Sequence, residues 1–321
     1  MGVKEVEAQQ LATILANGPL VVDGAMATEL EKKGVDTAND LWSATALLNA
    51  PSAIKEVHRS YFVAGANIVL TNSYQANLPA FEAHGFSEDE GQHLIQKAVQ
   101  LAQTARDEYA QTLPADKKRP LLIAGSVGPY GAYLANGSEY TGDYLLSKEE
   151  YKNFHRPRMQ ALAQAGVDLF AFETQPNFAE TQALAELLYE EFPEMLAWLS
   201  FSVDGKDKLC DGTPLKQAVS YFVDDDQIVA IGVNCTSPTN VTELLKIMQT
   251  KTTKPLVVYP NNGDTYDPLA KKWQTDHDTP SFSKLVPQWQ HAGASLIGGC
   301  CQTTPADIEE IARNIQNIKN E

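Results

Sequence analysis

No apolar run in this 321-residue chain approaches the roughly 20 residues needed to span a bilayer, so no transmembrane helix is expected. The amino terminus, Met1-Gly-Val-Lys-Glu-Val-Glu7, lacks the hydrophobic stretch of a signal peptide, and Val6 stands where a myristoylation signal carries Ser or Thr. Positive charge is scarce: 25 Lys and Arg against 41 Asp and Glu leave a formal net charge of −16. Nucleic acid and anionic membrane both require a basic patch, so neither is an expected partner. No G-x-G-x-x-G follows the first predicted strand and no G-x-x-x-x-G-K-[ST] occurs, which removes support for nucleotide-phosphate binding. Only four cysteines are present, too few for a disulfide scaffold. The expectation is a cytoplasmic protein with reduced thiols. Its hydrophobic content of 43% and charged content of 21% are ordinary for a globular chain of one large domain or two small ones.

Those few cysteines sit in telling places. Ala294 to Ile297 reads as a buried strand, followed by Gly298-Gly299 and then the adjacent Cys300 and Cys301. Thr304, Pro305 and Asp307 form a helix start, with a capping hydroxyl, a proline in the first turn and an early acid. On a regular strand two adjacent side chains point to opposite faces. The two glycines are therefore expected to release the backbone and turn both sulfurs one way. Ile228 to Cys235 is a second apolar run ending in a cysteine, and Ser237-Pro238 is expected to open a helix after it. Three sulfurs at the ends of two strands suggest a metal site with an open fourth position, as in catalytic zinc. Three other readings stay open: Cys235 as a small buried hydrophobe, a vicinal disulfide between Cys300 and Cys301, and a structural zinc completed by Cys210.

The rest of the chain repeats a strand-then-helix rhythm. Strands are expected at Pro19–Asp23, Asn67–Thr71, Pro120–Ser126, Val167–Glu173, Leu196–Ser202, up to Cys235, Pro255–Tyr259 and before Cys300. Helices lie between them, some opened by the pairs Ser87/Glu90, Ser147/Glu150 and Asn177/Glu180. The strands are continuous apolar runs, as in a parallel sheet covered on both faces. Some eight such units without a visible boundary predict a single (β/α)8 TIM barrel over residues 1–321, preceded by a short helix at about 3–16. A doubly wound open sheet is the competing fold.

In a barrel the active site lies at the carboxyl ends of the strands. That rim would carry Asp23, Thr71, Ser126, Glu173, Cys235, Asn261, Cys300 and Cys301. Two carboxylates, two hydroxyls and three sulfurs then converge, although any one of them alone is as easily a turn or capping residue.

These segments resemble a known family. Asp23-Gly-Ala-Met-Ala-Thr-Glu-Leu30, Gly125-Ser-Val-Gly-Pro-Tyr-Gly131, Phe172-Glu-Thr174, Gly232-Val-Asn-Cys235 and Gly298-Gly-Cys-Cys301 are similar, in order and over nearly the whole chain, to the homocysteine S-methyltransferases. Gly137-Ser-Glu-Tyr-Thr-Gly-Asp-Tyr144 and His155-Arg-Pro157 are typical of the bacterial members that use S-methylmethionine. The resemblance implies a (β/α)8 barrel, Zn²⁺ held by Cys235, Cys300 and Cys301, and a homocysteine amino group held by Asp23 and Glu173. It implies methyl transfer from S-methylmethionine, with S-adenosylmethionine a poorer donor, to give methionine. Cys210 matches no ligand position.

A sulfonium donor suits aromatic faces, which bind cations without competing as nucleophiles. Trp42, Tyr74, Tyr130 and Tyr133 are the expected aromatic contacts. Thr71 and Ser126 are expected to face substrate, and Val127–Tyr144 reads as a lid. Betaine as donor and a selenol or another thiol as acceptor remain alternatives, as do a glycosidase-type pair of Asp23 and Glu173 and a metal-storage or redox-sensing module. Monomer and homodimer are both open.

Overall fold

The computed structural model describes residues 12–15, 17–37, 41–267, 272–274 and 278–319; at Trp42, 265–267, 272–274 and 317–319 only the backbone is described. Eight strands form one parallel sheet: β1 (Leu20–Val21), β2 (Ile68–Leu70), β3 (Leu122–Val127), β4 (Leu169–Gln175), β5 (Ala197–Phe201), β6 (Ile228–Asn234), β7 (Leu256–Tyr259) and β10 (Ala294–Ile297). Two short strands, β8 (Thr265–Asp267) and β9 (Lys272–Gln274), pair antiparallel within what the sequence suggested was a plain polar loop. The barrel order is β1-β10-β7-β6-β5-β4-β3-β2. A parallel bridge between Val22 and Ile68 joins the two ends, with Asp23 N–H donating to Ile68 O at 3.0 Å and Asn67 N–H to Val21 O at 2.7 Å. The sheet therefore closes, and the open doubly wound alternative is excluded.

Strand side chains divide by the period of two. Leu20, Val22, Ile68, Leu122, Ala124, Leu169, Ala171, Trp198, Ala230, Val257 and Leu296 fill the barrel interior. Their neighbours Val21, Val69, Ile123, Phe170, Leu199, Ile231, Val258 and Ile297 pack outward with the apolar faces of the helices. Trp198 is fully buried, and its indole N–H donates to the Tyr259 hydroxyl at 3.1 Å. Burying a ring of that size while satisfying its polar atom favours one arrangement of the barrel centre.

Ser87 and Ser147 form the expected capping boxes with Glu90 and Glu150. Asn177 caps its helix by accepting from Glu180 N–H, but the Glu180 carboxylate turns inward instead of completing a box. The helix expected from Ser237-Pro238 begins later, at Val241. Of the leading helix expected at about 3–16, residues 12–15 are helical and the rest lies outside the described residues. No helix among the described residues is long and apolar enough to cross a membrane.

Candidate active site

Cys235 follows directly on β6, and Cys300 and Cys301 follow β10 after two glycines. The Cys235 Sγ lies 3.0 Å from Cys300 Sγ and 3.5 Å from Cys301 Sγ, and all three sulfurs fall within 4.8 Å of one another. Three thiolates about 2.3 Å from one tetrahedral metal would be separated by about 3.8 Å. The cluster thus fits a single thiophilic ion with little rearrangement. All four cysteines are free, so Cys300 and Cys301 form no vicinal disulfide. Cys210 stands apart, 3.4 Å from the Ser202 hydroxyl, with its thiol pushed up to about 11 by burial. It completes no four-sulfur site.

The glycines before the cysteine pair do not act as the sequence suggested. Neither adopts the left-handed conformation. A Cβ on Gly298 would lie 2.7 Å from Val22, and one on Gly299 would lie 2.3 Å from Thr303 Oγ1, so both residues serve close approach. The left-handed residue is Gln302, with φ 63°, just past the pair. Thr303 closes the turn by donating its hydroxyl to Cys300 O at 2.6 Å. Cys235 (φ 51°) and Thr174 (φ 56°) are also left-handed, so three of the four such non-glycine residues described border the sulfurs or the Glu173 carboxylate. Each costs on the order of 1–3 kcal/mol, a strain the surrounding bonds must sustain.

Asn234 supplies much of that support. Its Oδ1 accepts from Thr174 N–H at 2.8 Å and from the Ser200 hydroxyl at 2.9 Å, and its Nδ2 donates to Thr174 Oγ1 at 2.7 Å. Gly232, two residues earlier, is fixed by packing: a Cβ there would fall 1.6 Å from Val257 O.

Asp23 and Glu173 are both buried. Asp23 accepts from Leu70 N–H at 3.0 Å, yet burial and the nearby Glu173 hold its carboxyl well above the usual range. Burial pushes Glu173 up to about 7, against the opposing effect of hydrogen bonds from the Ser126 and Tyr259 hydroxyls. Ser126 is itself held in place. Its N–H donates to Thr71 Oγ1 at 3.0 Å, and Ser73 Oγ donates to its carbonyl at 2.8 Å.

These groups share one cavity of about 160 Å³ at the carboxyl ends of the strands. Asp23, Thr71, Ser126, Glu173 and the three cysteines all line it, whereas Asn261 does not. Tyr74 borders it, but Tyr130 and Tyr133 do not: their rings pack on Phe154 at 5.0 and 5.5 Å. The Trp42 side chain lies outside the described residues, although the adjacent Ser43 reaches the cavity.

Several lining residues escaped the sequence reading, Glu139, Tyr140 and Tyr259 among them. The segment read as a lid folds over the rim as a helix, Tyr130–Tyr133, and a 3-10 turn, Ser138–Tyr140. The turn delivers Glu139 and Tyr140, and the Tyr140 hydroxyl lies 3.6 Å from Cys235 Sγ. Glu180 anchors this segment by accepting from Tyr130 N–H at 2.6 Å and from the Tyr144 hydroxyl. The available signal was the Gly137-to-Tyr144 motif, which carried no assignment of individual side chains.

A family model described as homocysteine S-methyltransferase matches residues 20–315. The chain belongs to the homocysteine S-methyltransferase family. It is 50% identical over 290 residues to homocysteine S-methyltransferase of Escherichia coli strain K12, covering 90% of this chain and 93% of that one. Over 309 residues it is 43% identical to the selenocysteine methyltransferase of Astragalus bisulcatus, covering 91% and 90%. A crystal structure of the homocysteine methyltransferase MmuM from Escherichia coli, in its metallated form, superposes with a TM-score of 0.85 at 47% identity, covering 94% of this chain and 99% of that one. As a member of this family the protein is a methyltransferase.

Proposed function

We propose that this homocysteine S-methyltransferase moves a methyl group from S-methylmethionine to homocysteine, with Zn²⁺ on Cys235, Cys300 and Cys301. The observation that supports this most is the convergence of three sulfurs and two buried carboxylates on one cavity. When bound, zinc would supply a Lewis acid that lowers the pKa of an incoming thiol, and three thiolates would leave that site anionic enough to keep the thiol's sulfur electron-rich.

The chain's own residues do the rest. Asp23 and Glu173 bind the homocysteine ammonium, whose charge favours their ionised forms. Ser126 and Thr71 hold the Glu173 carboxylate toward the cavity. Tyr74 offers a ring face to the sulfonium. The new S–CH₃ bond forms from a lone pair on the homocysteine sulfur. The pair of the breaking bond passes to the donor sulfur, leaving two molecules of methionine, and the acceptor's thiol proton goes to solvent. Opposite charges merge in this step, so a cavity that excludes water favours it.

The test is methionine formation from homocysteine with S-methylmethionine, S-adenosylmethionine or betaine, with and without a chelator. S-methylmethionine is expected to be the best donor, and chelation to abolish turnover. Replacing Cys235, Cys300 or Cys301 with Ser should remove bound zinc and activity together, and turnover by a zinc-free variant would refute the assignment. The likeness to a selenocysteine methyltransferase supports one further reading, that a selenol also serves as acceptor; selenohomocysteine in the same assay tests it.

A further inference from the structure

Glu139 is a third buried carboxylate on the cavity wall, only 3% exposed, and its Oε2 has no hydrogen-bond partner. Several contacts place it there. Gly131 lets the turn sit close, since a Cβ there would lie 2.8 Å from Glu139 N. Gly137, with φ 87°, starts the turn, and Gly142 N–H closes it onto Ser138 O at 2.8 Å. A buried carboxylate with no cation beside it is costly, and burial raises this one to about 7 against the hydrogen bond from its own backbone N–H. Among the described residues lining the cavity there is no lysine, arginine or histidine to pair with it. Tyr74 feels the charges of both Glu139 and Glu173, and both carboxylates feel that of Cys235, so Glu139 faces the same cavity as the acceptor's carboxylates.

We propose that Glu139 binds the α-ammonium group of the methyl donor and so selects sulfonium donors that are amino acids. This inference rests on the function proposed above. Asp23 and Glu173 are taken by the acceptor's ammonium, which leaves Glu139 for the second amino acid. The donor's ammonium is a better partner than its sulfonium, because a carboxylate beside the transferable methyl would be a rival nucleophile. Tyr140, the next residue, stands 3.6 Å from the Cys235 sulfur, so Glu139 is one residue from the side chain that meets the sulfur cluster.

Steady-state kinetics of Glu139→Gln and Glu139→Asp with S-methylmethionine, and with dimethylsulfonioacetate as a substrate or competitive inhibitor that lacks an ammonium group, tests this. Glu139→Gln is expected to raise the KM for S-methylmethionine roughly tenfold to a hundredfold. Glu139→Asp should raise it less, and the homocysteine KM should stay within about twofold in both, which also reports intact folding. The penalty with dimethylsulfonioacetate should be much smaller. An unchanged S-methylmethionine KM in both variants, an equal penalty for the two sulfonium compounds, or parallel rises in donor and acceptor KM would each overturn the assignment. If the wild-type protein turns over no sulfonium donor, the proposed function fails first and this inference with it.

Discussion

Cys235 and Cys300 are 65 residues apart in sequence, yet their sulfurs lie 3.0 Å apart across the rim of the barrel. Their strands, β6 and β10, are not neighbours, since β7 runs between them. The contact therefore depends on residues that carry each chain past the strand end. At Cys235 this is a left-handed backbone, and behind it stands Asn234.

Asn234→Ala should leave the Thr174 N–H and hydroxyl without their partner in a buried setting. A stability loss of about 3 kcal/mol is expected, together with weaker metal binding because Cys235 loses its brace. Chemical denaturation and metal titration of the variant check this, and wild-type values for both would contradict it.

Gly232→Ala should be worse than its size suggests. The added methyl would fall 1.6 Å from Val257 O, a backbone atom that cannot move without shifting β7. Destabilisation of about 3 kcal/mol or more is expected, read as a lowered denaturation midpoint or insoluble expression.

Glu173 links stability to pH in the metal-free protein. Its native pKa of about 7 lies above the ordinary 4.5, so between these values the native state holds a proton that the unfolded chain has released. Stability then falls as pH rises through that window, by roughly 3 kcal/mol when complete. Glu173→Gln should recover most of this above pH 7 while weakening homocysteine binding. Denaturation at pH 5 and pH 8, with homocysteine titration, separates the two effects; a variant no more stable than wild type at pH 8 would contradict the burial argument.

The barrel was legible because continuous apolar strands fit a sheet covered on both faces and some eight strand-then-helix units follow one another without a boundary. The sulfur cluster was legible because two such runs end in cysteine. The glycines before Cys300 were misread: whether a glycine serves torsion or close approach depends on what packs against it, here Val22 and Thr303 from elsewhere in the chain. Tyr130 and Tyr133 were misplaced because a four-residue helix does not reveal which face it buries. Glu139 and Tyr140 were missed because their turn is set by Gly131 and by Glu180 on a separate helix.

X-ray absorption at the zinc edge of the metal-loaded protein, recorded with and without homocysteine, tests whether the three sulfurs share one ion with an open position for the substrate. Three sulfur neighbours and one lighter atom are expected in the free protein, and four sulfurs once homocysteine is bound. A fourth protein ligand in the free state, or an unchanged shell after homocysteine is added, would contradict that arrangement.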